Sequence, residues 1–243
     1  MMDCAALPYD HLRPGEGAFL IVADHASNVV PRGLNQLGLA EDMLAAHIAY
    51  DIGTRALAHA LSARLGCEAI LSNVSRLVID KNRRLDQGGL VPASSDGIPI
   101  PGNEALAQSV IASRIAQFYK PYHAQIARQV AARNTPFLLS LHSFTPHMNG
   151  HQRPWECGLL YNTDSRIAQR AIAYFHSLGL CVGDNEPYPG NVYNATMDAH
   201  AEAHGHPYLM LEIRNDLLSR PEQVDVWTRR IVRLLDRLTS SAG

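Results

Sequence analysis

Five apolar residues in a row, Phe19-Leu20-Ile21-Val22-Ala23, stop abruptly at Asp24-His25-Ala26-Ser27-Asn28. A short run this apolar predicts a strand buried on both faces, which places it inside a layered α/β fold. In such folds ligands sit just beyond the carboxyl ends of the strands. An acid, a histidine, a serine and an asparagine delivered at that point by a rigid strand are well placed for chemistry.

Two more runs close in the same way. Residues 136–141 read as a buried strand ending at His142-Ser143, and residues 207–213 as a strand carrying Glu212-Ile213-Arg214 near its end. Helical spacing fills the intervals. Residues 41–65 predict one helix, with Leu44, Ile48 and Ile52, then Leu57, Leu61 and Leu65, spaced by four and stopped by Gly66. A second helix is expected from a cap at Asn103 to about Arg133, kinked or split by Pro121. The last helix opens at Pro221 and carries Val224, Trp227, Ile231, Leu234 and Leu238 on one face. Residues 67–72, 157–161 and 180–182 read as further strands, residues 73–83 as a strand or extended segment, and residues 86–103 as a long loop of the kind that covers a site. Alternation of strand and helix argues a parallel or mixed sheet between helical layers. No Pro/Gly/Ser-rich linker divides residues 1–243, so one domain is expected, and 47% hydrophobic residues suffice for a large core.

Charge narrows the function. Twenty-one basic and 23 acidic residues give a net charge of −2 without a basic stripe, which argues against a nucleic-acid partner. No run reaches membrane-spanning length, and the first 17 residues lack the plan of a signal peptide. The four cysteines, Cys4, Cys67, Cys157 and Cys181, are scattered and form no CxxC pair, as expected of buried reduced thiols in a cytoplasmic protein.

Two histidines that each close a buried strand, His25 and His142, suit a zinc site; the alternative is that each is a hydrogen-bonded core residue. A hydrolytic zinc keeps one position open for water, and a carboxylate such as Glu212 then takes that water's proton. Arg83 offers a bidentate fork for a substrate carboxylate, with Asn82 beside it, and Arg76 suits an oxyanion. These arginines equally suit salt bridges to Asp80 or Asp86. Arg214 shares a strand face with Glu212, as a further carboxylate anchor or as its partner.

The ordered set Asp24-His25-Ala26-Ser27-Asn28, Ser75 to Arg83, Leu141-His142-Ser143, Asn185-x-Pro187-x-Pro189-Gly190 and Glu212-Ile213-Arg214 resembles the N-formylglutamate amidohydrolase family, over roughly residues 18–216. Within that family the likeness is to the branch of predicted amidohydrolases. The family is similar in turn to the zinc carboxypeptidase and aspartoacylase group. The resemblance implies a three-layer α/β/α fold with a mixed central sheet, zinc-exopeptidase-like. It implies metal ligands at His25, Asn28 and His142, catalytic roles for Glu212 and Arg76, and substrate binding by Asn82 and Arg83. Asn28 stands where the zinc group has Glu. A neutral amide holds zinc less tightly, so a weakly retained ion is expected, unless Asp24 supplies the carboxylate. Ser140 stands two residues before His142, where many family members carry an acid. The expected activity is metal-dependent removal of the acyl group from a small-molecule N-acyl amino acid, first N-formyl-L-glutamate. A carboxypeptidase-like deacylase and a metal-free carboxylate binder are the alternatives.

Overall fold

The run Phe19–Ala23 forms β2, which lies inside a seven-stranded sheet with β3 (Glu68–Ser72) and β6 (Phe137–Phe144) parallel on either side. The structure is a computed structural model and describes residues 7–15, 17–134, 136–148 and 150–240; Cys4 lies outside the described residues. β11 (Tyr208–Arg214) continues the parallel set beside β6. The edges break the parallel order. β1 (Tyr9–Leu12) pairs antiparallel with β3, while β9 (Cys157–Leu160) runs antiparallel to β11 and parallel to β10 (Val182–Asp184). The sheet is therefore mixed, as expected.

Side chains of the inner strands alternate between two cores. Ile21 and Ala23 face α2 (Thr54–Leu65), α5 (Arg166–Ser177) and α8 (Pro221–Ser240), where Trp227 and Phe175 fill the interior. Leu20 and Val22 face α4 (Lys120–Ala131) and α7 (Ala195–His200) through Tyr122, Ile126 and Met197. Helices cover both faces, which is why these strands carry no polar alternation. A third apolar cluster, centred on Leu37, Ile48, Leu77, Val78, Ile79 and Ile100, forms a cap over the carboxyl ends of the strands.

The cap is where pattern and structure part. Residues 41–65 are not one helix. α1 (Glu41–Ala45) ends early, α2 starts at Thr54, and the chain between them is irregular. Leu44 and Ile48 keep their apolar spacing because both face the cap, not because they share a helix. Residues 73–83 form turns rather than a strand, yet Leu77, Val78 and Ile79 are fully buried. The loop at 86–103 holds a hairpin of β4 (Ser94–Ser95) and β5 (Ile98–Pro99). Asn103 does not cap a helix: its amide donates to Leu77 O and Pro92 O, and its Oδ1 accepts from buried Arg114. The split at Pro121 is present as a π-helical turn, Ile115–Tyr119, between α3 (Gln108–Arg114) and α4. Beyond β6 the chain forms two short paired strands, β7 (His147–Met148) and β8 (His151–Gln152). Cys67 and Cys157 are buried free thiols, whereas Cys181 is exposed.

Gly53 shows why the predicted helix breaks. Its φ is +88°, and a Cβ there would stand 2.4 Å from Leu218 Cβ and 2.9 Å from Leu218 O. Gly53→Ala is expected to lower stability by about 2–4 kcal/mol, from a left-handed backbone plus overpacking. Denaturant unfolding of the variant is the check; an unchanged midpoint would mean that Leu218 yields without cost.

Candidate active site

The irregular turn before Gly53 delivers Asp51 to the carboxyl ends of β2 and β6. Asp51 N donates to His25 O at 2.9 Å, Ser143 Oγ donates to Ile52 O at 2.8 Å, and Thr54 Oγ1 donates to Asp51 O at 2.7 Å. The turn is thus tied to both histidine-bearing strands. The Asp51 carboxylate lies between the two rings: Oδ2 is 2.9 Å from His142 Nδ1 and 3.3 Å from His25 Nδ1. All three residues are buried, and one ligand atom from each lies within 4.8 Å of the others, a grouping that could hold a metal ion.

The far nitrogen of each ring faces another carboxylate. His25 Nε2 is 2.7 Å from Asp80 Oδ1, and His142 Nε2 is 3.3 Å from Asp24 Oδ2. A hydrogen on His25 Nε2, bonded to Asp80, leaves its Nδ1 as a lone-pair donor, the arrangement by which a carboxylate orients a metal-ligating histidine. His142 Nε2 meets Asp24 as a charge contact without a hydrogen bond among the described residues. Two imidazole nitrogens and one carboxylate oxygen form a zinc-type donor set with room for one more ligand. Glu212 lies opposite His142 across β11 and β6, and its buried Oε2 has no hydrogen-bond partner among the described residues. An orphaned buried carboxylate oxygen beside such a set fits a metal-and-water centre.

Electrostatics follow from this packing. Burial and Arg76 push His25 down, but Asp80 and Asp51 outweigh them and hold it above its ordinary value. Burial opposes the charged form of His142 too, yet Asp24 and Asp51 hold it well above the usual range. Burial would raise Asp51, and the two histidines instead hold it well below the ordinary carboxylate range. Burial, reinforced by the Asp51 charge, pushes Glu212 up to about 7 against the pull of His142.

A pocket of about 330 Å³ opens over these groups, between the strand ends and the cap. Arg76 bridges its floor, Nη1 donating to Asp51 Oδ1 at 3.3 Å and Nη2 to Asp80 Oδ2 at 3.1 Å. Arg83 lies flat over the Tyr193 ring at 4.3 Å, with Nε 3.7 Å from Asp80 Oδ2; its terminal nitrogens bond no acceptor among the described residues. The Asp80 salt bridge expected of a surface arginine therefore exists, but it is built into the site. Asn82 lines the pocket with its amide engaged, Nδ2 donating to Tyr193 O and Oδ1 accepting from Thr196 N. It ties α6 (Gly190–Tyr193) and α7 to the cap motif.

Two expected residues stand elsewhere. Asn28 donates from Nδ2 to Leu44 O at 2.9 Å and lines no part of the pocket, so the oxygen beside the histidines is that of Asp51. Asp24 is no alternative ligand in this arrangement; it faces His142 from behind, held by Tyr122 OH at 2.9 Å and Thr196 Oγ1 at 3.0 Å. Arg214 turns to Asp216, with Nε to Oδ1 at 2.8 Å, and serves neither Glu212 nor the pocket. His147 and His151 lie on the short β7–β8 hairpin, apart from the cluster. His200 is buried, with its Nε2 2.9 Å from His123 Nδ1. Sequence reasoning missed Asp51, Tyr188 and Tyr193. Gly53-Thr54, a helix-start signal inside the apparent helix, was the clue to the first.

The family model described as N-formylglutamate amidohydrolase matches residues 17–219. A crystal structure of a gene product from Agrobacterium tumefaciens superposes with a TM-score of 0.92 at 31% identity, over 97% of this chain and 96% of that one. N-formylglutamate amidohydrolase from Ralstonia eutropha JMP134 shares the fold with a TM-score of 0.75 at 20% identity, over 97% and 98% of the two chains. A bacteriophage poly-gamma-glutamate hydrolase shares it more distantly, with a TM-score of 0.51 at 9% identity, over 98% of this chain and 93% of that one. A search of curated proteins found no match.

Two outcomes test this geometry. In chelator-stripped protein, Asp51→Asn should weaken zinc binding by more than about tenfold, and Asn28→Ala should leave it nearly unchanged. The reverse ranking in a zinc titration would return the ligand role to Asn28. Zinc must also displace protons from histidines whose pKa values are raised. Affinity should therefore rise with pH from about 6.5 upward until both rings are neutral, and calorimetry in buffers of different ionisation heat should record proton release.

Proposed function

The chain belongs to the N-formylglutamate amidohydrolase family, a family of hydrolases acting on amide bonds, and from that premise we propose that it removes the acyl group from an N-acyl amino acid. The first substrate is N-formyl-L-glutamate, giving formate and glutamate. The observation that carries the reading is the convergence of His25, Asp51 and His142 with the orphaned Glu212 oxygen at the base of one pocket.

His25, Asp51 and His142 would hold a zinc ion, which when bound supplies Lewis acidity and a more acidic water. Glu212 accepts the proton from the attacking water and returns it to the leaving amine. Its burial disfavours the charged carboxylate, which suits a group that must take up a proton from water before passing it on. Arg76, fixed by Asp51 and Asp80, faces the carbonyl oxygen and offsets its growing charge. Arg83, preset against Tyr193, takes the substrate carboxylate with its two terminal nitrogens, which bond no acceptor among the described residues. A fixed guanidinium loses little freedom when the carboxylate arrives, so the contact favours binding. The scattered thiols and the net charge of −2 suit a cytoplasmic enzyme of small-molecule metabolism. Among the described residues no helix is long and apolar enough to cross a membrane.

A panel of N-formyl, N-acetyl and N-succinyl amino acids, assayed with added zinc, tests the reading. N-formyl-L-glutamate should be cleaved, and its α-amide or ester should be cleaved far less well. Glu212→Gln should lower kcat by about 10²–10⁴-fold. Arg83→Ala should act mainly on KM. A panel without turnover, in protein shown to contain zinc, would sink the proposal.

A further inference from the structure

The turn Asp184 to Gly190 belongs to a motif that neither the metal cluster nor the arginines account for, and it brings Tyr188 to the pocket wall. The turn is held from several sides. Asn185, at φ +54°, accepts from Tyr161 N at 3.0 Å and from Gly190 N at 3.1 Å through its side-chain oxygen. The turn backbone presses on β9 so closely that a Cβ on Gly158 would lie 1.8 Å from Glu186 O. Gly158 is also the residue opposite Glu212 across β9 and β11. The turn is thus seated directly beside the strand position of the general base.

The phenol of Tyr188 has one hydrogen to give and two lone pairs. Arg153 approaches with Nη1 3.1 Å from Tyr188 Oη and stacks over the ring at 4.9 Å. A guanidinium only donates, so in this contact the phenol oxygen must accept. Its own hydrogen is then unused, for it reaches no acceptor among the described residues. Burial, followed by the charge of Glu212, raises the phenol above its ordinary value, so it stays protonated at neutral pH. The ring also meets Tyr193, the residue that carries Arg83, in a tilted contact at 5.3 Å.

We propose that Tyr188 is a further catalytic residue, which donates its phenolic hydrogen to the carbonyl oxygen of the scissile amide as negative charge develops there, alongside Arg76. The assignment rests on the amide-hydrolase reading above. Arg153 polarises the donor by bonding its oxygen, and the clamped turn holds Tyr188 at the pocket wall before substrate arrives. A donor fixed in advance is worth most where charge grows, so it acts on the transition state rather than on ground-state binding.

Tyr188→Phe removes the hydroxyl and keeps the ring, so the Tyr193 and Arg153 stacking survives. On N-formyl-L-glutamate, or on whichever panel member is cleaved, kcat should fall about 10²-fold with KM changed by less than about threefold. Zinc content and thermal midpoint should match wild type. An unchanged kcat, or a higher KM alone, overturns the proposal. A second readout needs no turnover: inorganic phosphate, a tetrahedral oxyanion, should bind the zinc-loaded variant several-fold more weakly than the zinc-loaded wild type. If wild type cleaves no panel member, the amide-hydrolase reading fails, and the phosphate comparison alone decides the role of Tyr188. Equal phosphate affinity in the two proteins overturns it.

Discussion

A buried carboxylate shared by two buried histidines organises this molecule. Asp51, His25 and His142 are each less than about one-twentieth exposed. An isolated charge so far from water would be prohibitive, and only close opposite partners make the arrangement tolerable. Every neighbouring feature serves that need. Arg76 reaches the second oxygen of Asp51, Asp80 and Asp24 take the outer ring nitrogens, and Ser143 N adds a donor at 3.3 Å. The broken helix, the strained glycine and the cap motif all follow from bringing these groups together.

The frame of the fold was legible because layered α/β cores write themselves into sequence as apolar runs and helical spacing. β2, β6, β11 and α8 stand where the pattern put them. His25, His142 and Glu212 converge because strand ends converge, and Arg76 and Arg83 join them from the turns that follow β3. What stayed hidden was set by tertiary contact. Asp51 sat inside a convincing i, i+4 apolar pattern, yet Leu44 and Ile48 belong to the cap and Leu57 and Leu61 to the sheet core. The period continued while the helix did not. Asn28 was misleading for the opposite reason: its position in a motif suggested a ligand, while its side chain satisfies the carbonyl of Leu44. β1 was invisible because a four-residue, half-buried edge strand carries no strong period.

The weak metal affinity inferred from a neutral Asn28 loses its basis in this arrangement. The negative charge arrives from a different segment, and the donor set contains the carboxylate that zinc sites commonly use. The missing acid before His142 is compensated in a similar way, since Asp24 on the adjacent strand end faces the ring nitrogen that such an acid would serve. Ser140 is left as a buried hydroxyl without a hydrogen-bond partner among the described residues. On the proposed reading the same donor types are present while the positions that supply them differ, which local motif comparison alone does not detect.

The cap has its own apolar interior, separate from the two cores that flank the sheet. His25, His142 and Glu212 come from the sheet, whereas Arg76, Asp80 and Arg83 come from the cap. The cap thus supplies Arg83 toward the pocket and also Arg76 and Asp80, which reach Asp51 and His25, so divergence of ligand preference within such a scaffold should concentrate at the cap positions that touch neither Asp51 nor His25.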